Sequence, residues 1–235
     1  MKHKFRLTNP GLDAQLAQIQ RSIRLSMNGV VADSMVEHGL RYKKAYGVTT
    51  LRLKEIARDI QPDLALAERL WLLGIRETMI LATLLAPAAS FPETLAKEWS
   101  EECDNQELIE QANMNLFQHL SYAAPFAIVC MEAEPTHLKS FGFTLALRVS
   151  NRFTKEELNR IIEKGLQLCT ENTDNYLSKA IASCLARFCR IDKATAARVE
   201  DAVFQAIETE NTALVVVQKF VDNELIFLGY KQFNS

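Results

Sequence analysis

Residues 50–87, TLRLKEIARDIQPDLALAERLWLLGIRETMILATLLAP, are the stretch that decides the fold class. Their apolar side chains recur at steps of three or four, which is the period of an amphipathic helix. The pattern is interrupted by Gln-Pro-Asp at 61–63, by Gly74 and by Ala-Pro at 86–87. Because such residues end helices, we predict three short helices here, with Thr50 as the cap of the first.

The same period continues along nearly the whole chain and predicts about thirteen helices joined by short loops. One of them covers residues 31–44, and another covers 106–120 with Asp104 as its cap. The β-branched run at 214–217 is also compatible with a strand, but an isolated strand has no partner. Further polar residues can cap helix starts: Thr154 with Glu157 at capping-box spacing, Asp174, Asp192 and Asn211.

The helices follow one another in short hairpins, with about 30–45 residues per pair. We therefore predict an all-α fold, an α-solenoid of HEAT- or armadillo-like repeats with about six antiparallel helix pairs and a concave groove. The repeats would form one domain over residues 1–235. A compact all-α bundle is the alternative.

Composition excludes several classes of protein. The 235 residues are 48% hydrophobic and 24% charged, which suits a globular chain with a sizeable core and excludes collagen, disordered chains and disulfide mini-proteins. The basic N-terminus is not followed by the apolar run of a signal peptide, and no apolar run in the sequence has the length of a membrane span. The five cysteines are scattered, and the four histidines do not cluster with them. We therefore expect reduced thiols, a cytoplasmic location, and neither metal, cofactor nor membrane association.

Charge is unevenly distributed, although the formal net charge is only -2. Residues 1–58 carry 11 Lys or Arg against 4 Asp or Glu, and residues 139–198 carry 11 against 6. Residues 59–138 carry 3 against 13, and residues 199–235 carry 2 against 6. A curling solenoid would bring its two basic segments toward each other, and a groove lined by them would attract phosphates.

We predict that cations in two groups contact a nucleic acid. The first basic cluster interleaves with Tyr42 and Tyr46, and this mixture of cations and aromatic rings suits a nucleic-acid backbone. Its members are Arg41, Lys43, Lys44 and Arg52. The members of the second basic cluster are Arg148, Arg152, Lys155, Lys179, Arg187 and Arg190. The alternative is that both clusters are solvated helix faces, with Arg stems covering apolar surface.

Four separated motifs carry a family resemblance. They are YGV at 46–48, LRLKEIA at 51–57, LAERLW at 66–71, and GIRE at 74–77 followed by ILA at 80–82. In this order and at this spacing they resemble the AlkD-like DNA alkylation repair family, which belongs to the HEAT-like repeat DNA glycosylase superfamily. The resemblance implies a HEAT-like solenoid with DNA on its concave side. For active members it also implies hydrolysis of the N-glycosidic bond of cationic alkylated purines.

The resemblance also shows where this chain departs from active relatives. These carry a Trp and, four residues later, an Asp on a helix of the middle repeats, then an Arg on the next helix pair and a second Trp further on. Here Met114 and Gln118 occupy the Trp and Asp positions, and the Arg position lies near 141–143, where there is no cation. A neutral Gln does not supply the electrostatic stabilisation that a carboxylate gives to an oxocarbenium-like sugar.

The second Trp is missing as well, because Trp71 and Trp99 are the only two in the chain. We therefore favour a DNA-binding HEAT-like protein without glycosylase activity, with duplex, damaged or branched DNA as its partner in a basic groove. One alternative is an active alkylpurine DNA glycosylase with a rearranged site, in which Glu110 is the nearest carboxylate on the helix. The other is a scaffold that binds a protein through its concave face, which the acidic segment 59–138 favours.

Overall fold

The computed structural model of the chain describes residues 9–37, 40, 42–171, 174–206 and 211–232. This part of the chain contains thirteen α-helices, three short 3-10 turns and no strand, so the all-α class is confirmed. The helices are α1 (Pro10–Leu25), α2 (Gly29–Glu37), α3 (Thr50–Arg58), α4 (Leu64–Trp71), α5 (Arg76–Leu85), α6 (Glu93–Glu102), α7 (Gln106–Asn115), α8 (Ala123–Met131), α9 (Thr136–Arg148), α10 (Lys155–Thr170), α11 (Asn175–Phe188), α12 (Lys193–Ala206) and α13 (Thr212–Phe227).

Polar side chains cap several of these helices, largely where the sequence predicts. Thr154 and Glu157 form a capping box at the start of α10: each side chain accepts a hydrogen bond from the other's backbone N–H, at 3.2 and 2.8 Å. Asp174 and Asn211 accept N–H bonds at the starts of α11 and α13. Asp192 accepts one from Thr195 at 2.7 Å. Each cap satisfies a backbone donor that the helix leaves open.

Two predicted caps are off by one residue. Thr49, not Thr50, caps α3, since its hydroxyl accepts from the N–H of Arg52. Asn105, not Asp104, caps α7. In both places two neighbouring residues have suitable side chains. The backbone conformation then selects the one whose oxygen lies three residues before a free N–H.

Two predicted helices end earlier than expected. The second helix ends at Glu37 rather than 44, and residues 42–49 are non-helical. The helix predicted over 106–120 ends at Asn115 and is followed by a 3-10 turn, Phe117–His119. The run at 214–217 is helical and lies within α13.

The chain divides into two compact units, residues 1–95 and 96–235. In the first unit α4 packs on α5, α3 lies against α5, and α1 crosses α3 and α4. The core between them holds Leu53, Leu66, Leu70, Ile80 and Leu81, which are all inaccessible to solvent. The prediction that residues 1–235 form one repeat domain stays a prediction.

In the second unit α9 and α13 both pack against α11, and α10 and α12 contact each other as well as α11 and α13. Phe117 and Phe141 meet edge to face in the core of this unit, with ring centroids 4.7 Å apart. Such packing of successive helices on one another is typical of a helical-repeat array, in which each pair covers the apolar stripe of the next.

All five cysteines are buried, and none of them forms a disulfide bond. In the described part of the chain, no helix is both long enough and apolar enough to cross a membrane.

Candidate nucleic-acid interface

A buried ion pair fixes the loop that carries the first basic cluster. Arg76 and Glu77 begin α5 and are 1% and 0% exposed, with Nη1 and Oε1 3.0 Å apart. The Glu77 carboxylate accepts hydrogen bonds from the backbone N–H groups of Tyr46, at 3.0 and 3.1 Å, and Val48, at 3.2 Å. Arg76 donates from Nη1 to the carbonyl of Val48 at 2.7 Å. The pair therefore holds the backbone of the loop in one conformation.

Gly47 completes this anchor from the other side. Its φ of +70° lies in the left-handed region that favours glycine. A Cβ at this position would lie 2.1 Å from the carbonyl oxygen of Asn28 and 2.7 Å from the N–H nitrogen of Ala32. The N–H of Asn28 in turn donates to the carbonyl of Tyr46 at 2.9 Å. The YGV motif thus lets the loop lie directly against the connection between α1 and α2.

The first basic cluster is displayed on and beside this loop. Lys43 and Lys44 are exposed, and the Lys44 ammonium lies 4.8 Å from the centre of the Tyr46 ring. Arg52, on α3, donates to the hydroxyl of Ser26 at 3.2 Å and pairs with Glu55 at 2.8 Å. Arg41 lies outside the described residues. Among the described cations of this cluster, Lys43 and Lys44 are therefore the two that lie on the fixed loop and are exposed to solvent.

Arg148, the first member of the second basic cluster, is half-buried at the end of α9. None of the described residues gives its buried Nε atom a hydrogen-bond partner. Burial lowers the pKa of Arg148, while the charges of Glu110 and Tyr176 act in the opposite direction. Burial also raises the pKa of Tyr176 to about 12. Glu110, Arg148 and Tyr176 thus form a polar group in which the buried Arg148 Nε atom has no hydrogen-bond partner among the described residues.

The exposed members of the second basic cluster lie around α10 and α11. Rings of Phe153 and Phe188 are 6.2 Å apart, which brings the residues flanking them side by side. Arg152 donates to the carbonyl of Leu120 at 3.0 Å and is otherwise exposed. The other exposed members are Lys155 on α10, Lys179 and Arg187 on α11, and Arg190 just after α11.

Arg190 differs from the other members because its charge is already compensated. Glu224 accepts two hydrogen bonds from its guanidinium, at 2.5 and 3.1 Å. The guanidinium also lies 5.6 Å from the centre of the Phe227 ring. The Glu224 side chain raises the pKa of Arg190, and the same pairing reduces the attraction of this cation for a phosphate.

Met114 and Gln118, which occupy the family's Trp and Asp positions, lie at the end of α7 and in the following 3-10 turn. Both are half-buried, and the Gln118 amide donates to the carbonyl of Met114. Trp71 and Trp99 are each 2% exposed and belong to the core. Neither tryptophan therefore presents a ring face to a ligand.

Asn113 was not singled out by sequence reasoning, yet it is a fully buried polar residue beside these positions. Its Nδ2 donates to the carbonyl of Phe141 at 3.2 Å, and no described residue donates to its Oδ1. The Arg76–Glu77 pair lies in the GIRE motif at 74–77, and its burial is not among the predictions from the sequence. Two adjacent charged residues, Arg and Glu, at the start of an otherwise apolar helix are the sequence signal that indicates such a buried pair.

The described helices and their packing define a helical-repeat protein, and its surface carries exposed cations. The chain belongs to the family of DNA alkylation repair enzymes, whose family model matches residues 19–226. It is also similar to a solved protein described as belonging to a new family related to the HEAT-like repeat DNA glycosylases with affinity for branched DNA structures. That similarity covers 88% of this chain and 94% of the other, with a TM-score of 0.74 and 15% identity. The predicted HEAT-like fold and the predicted family are thus confirmed. No curated protein matches the chain.

Proposed function

We propose that the chain binds branched or distorted duplex DNA through the exposed cations of its two basic clusters. Its family is one of DNA repair proteins, and the similar solved protein belongs to a family with affinity for branched DNA. The observation that carries the proposal is the buried Arg76–Glu77 pair, which fixes a loop that exposes two lysines. Burying an ion pair is expensive in free energy, and here it organises a cationic surface.

The absence of glycosidic chemistry is the second part of the proposal. Gln118 is neutral and its amide is engaged with the backbone of Met114, so it does not stabilise an oxocarbenium-like sugar. No tryptophan is available to hold a cationic nucleotide by its ring face. The cations of the clusters contact phosphates, which fixes position on DNA without reading bases.

Charge reversal tests the DNA-binding proposal. We expect Lys43→Glu with Lys44→Glu, and separately Lys179→Glu with Arg187→Glu, to weaken binding to a labelled four-way junction by about tenfold or more at low salt. Each double variant should also make the negative slope of log K against log salt concentration less steep by about 1.8. Each lost phosphate contact contributes about 0.9 to this change, and each variant loses two. Fluorescence anisotropy on junction, nicked, mismatched and plain duplexes measures both quantities.

Lys97→Glu with Lys219→Glu is the matched control. These lysines are exposed on α6 and α13, outside both clusters, and their reversal produces the same change in net charge. The control should bind the junction within about twofold of the native chain. Equal affinity in all three double variants would contradict the proposal. An absence of salt-dependent DNA binding would favour the protein-binding scaffold.

An active glycosylase with a rearranged site is the second candidate function, and the polar group of Glu110, Arg148 and Tyr176 is the observation that favours it. Its carboxylate would stabilise the developing positive charge on the sugar, and the cationic base would leave without a general acid.

Base release from methylated DNA separates the two functions. With the enzyme in excess over the DNA, we expect no release of 7-methylguanine or 3-methyladenine, as measured by chromatography. Release that disappears in Glu110→Gln, with junction affinity retained, would establish the second candidate and refute the first.

A further inference from the structure

Four exposed apolar side chains lie in and beside the turn between α1 and α2, to which α3 is joined by the hydrogen bond from Arg52 to Ser26. Leu25 at the end of α1, Met27 in the turn, Val30 in α2 and Leu51 in α3 are 79%, 63%, 80% and 69% exposed. We name these four residues the apolar tip. Helices α1 and α3 contribute other apolar residues to the core. These are Ile19 and Ile23 on α1 and Leu53 on α3, which are all buried. The tip is thus apolar surface that the fold does not use.

The turn that carries Met27 is held in place on both sides. The N–H of Asn28 donates to the carbonyl of Tyr46, and the Asn28 side chain accepts from the N–H of Val31 at 3.2 Å. The Ser26 hydroxyl accepts from Arg52 at 3.2 Å. The loop on which the turn rests is itself fixed by the buried Arg76–Glu77 pair. Little conformational freedom is therefore lost when the tip contacts a ligand.

The residues around the tip are mostly cationic. Arg24 precedes Leu25, Arg52 follows Leu51, and both are exposed. Lys43 and Lys44 lie on the loop whose Tyr46 contacts the turn. Glu55 balances one of these charges through its pair with Arg52. The surface therefore suits a ligand that is anionic at its edge and apolar at its centre.

We propose that the apolar tip stacks against unpaired or unstacked bases at the branch point of DNA, while the surrounding cations contact the flanking phosphates. This inference rests on the proposed function and adds the feature that distinguishes branched from linear DNA. Phosphates are the same on both, but a linear duplex presents uncovered base faces only at its ends, whereas an open branch point presents them inside the DNA as well. Apolar side chains inserted at base steps are a known means of holding opened or kinked duplexes.

The test is the ratio of two affinities. We expect the double variant Met27→Ser with Val30→Ser to bind a linear duplex within twofold of the native chain. It should lose most of its preference for a four-way junction of equal length, by about tenfold. A 2-aminopurine at the branch point should brighten when the native chain binds and stay dim with the variant. Phe204→Ser is the matched control, because Phe204 is an apolar residue of the second unit that is 75% exposed on α12.

The outcomes separate this inference from the function on which it rests. An unchanged junction preference in the double variant overturns the role of the tip while leaving DNA binding in place. Failure of the native chain to bind any DNA overturns the proposed function itself. Vesicles of anionic lipid provide the remaining arm: capture of the native chain but not of the variant, with junction preference unchanged, assigns the tip to a lipid surface and refutes the inference.

Discussion

Replacement of Glu77 by alanine is expected to lower the free energy of unfolding by about 3–5 kcal/mol. The substitution leaves the guanidinium of Arg76 buried without its carboxylate, and this residue is 1% exposed. It also removes the acceptor for the N–H groups of Tyr46 and Val48. Buried donors without acceptors each add to the cost.

Urea denaturation followed by circular dichroism measures this loss. Glu55→Ala is the control, because it breaks the Arg52–Glu55 pair, whose side chains are 49% and 43% exposed. A pair with that exposure contributes about 1 kcal/mol or less. If the two substitutions cost the same, the buried pair does not anchor the loop in the way its contacts indicate.

The fate of residues 42–49 shows what periodicity misses. The apolar spacing predicts a helix over residues 31–44, of which 42–44 are non-helical in the fold. In the fold, the N–H groups of Tyr46 and Val48 are bound by Glu77, which lies 31 and 29 residues further along the chain. Gly47 also requires a positive φ. A contact over that separation overrides local preference, and nothing within the window of a helix reveals it.

The run at 214–217 is helical although its local preference is for a strand. It carries β-branched side chains, which favour a strand, yet it lies within α13. Asn211 caps the helix, and Leu214, Val217 and Val221 are buried on one face at helical spacing. Burial of that stripe on α11 outweighs the small difference in intrinsic preference.

The sequence predicts which cations belong to the candidate interface, but it does not predict which side chains pair with them or bury them. Arg187 and Arg190 are equivalent in the sequence, three positions apart. The structure pairs Arg190 with Glu224, 34 residues away, and so separates it from Arg187. Half-burial of Arg148 beside Glu110 is likewise a result of packing between α7 and α9, which composition does not encode.

Gly142 is the position in the second unit where a single methyl group is expected to cost most. It lies in α9, packed on α8, and a Cβ there would be 2.7 Å from the carbonyl oxygen of Ala127 and 2.8 Å from the backbone nitrogen of Met131. Both are backbone atoms, so relief requires the two helices to separate. Overpacking of this kind costs about 1–3 kcal/mol, or more where the backbone is rigid.

Gly142→Ala should therefore lower the free energy of unfolding by about 2 kcal/mol, although alanine is the better helix former by about 1 kcal/mol. Gly29→Ala is the control, since no atom lies within 4 Å of the added methyl; it should leave stability equal or raise it. Gly165→Ala belongs between them, because its nearest neighbours are the side chains of Ile181, at 3.0 Å, and Phe143. Urea denaturation of the three variants gives the order, and a Gly142→Ala protein as stable as Gly29→Ala would mean that α8 and α9 do not pack this closely in solution.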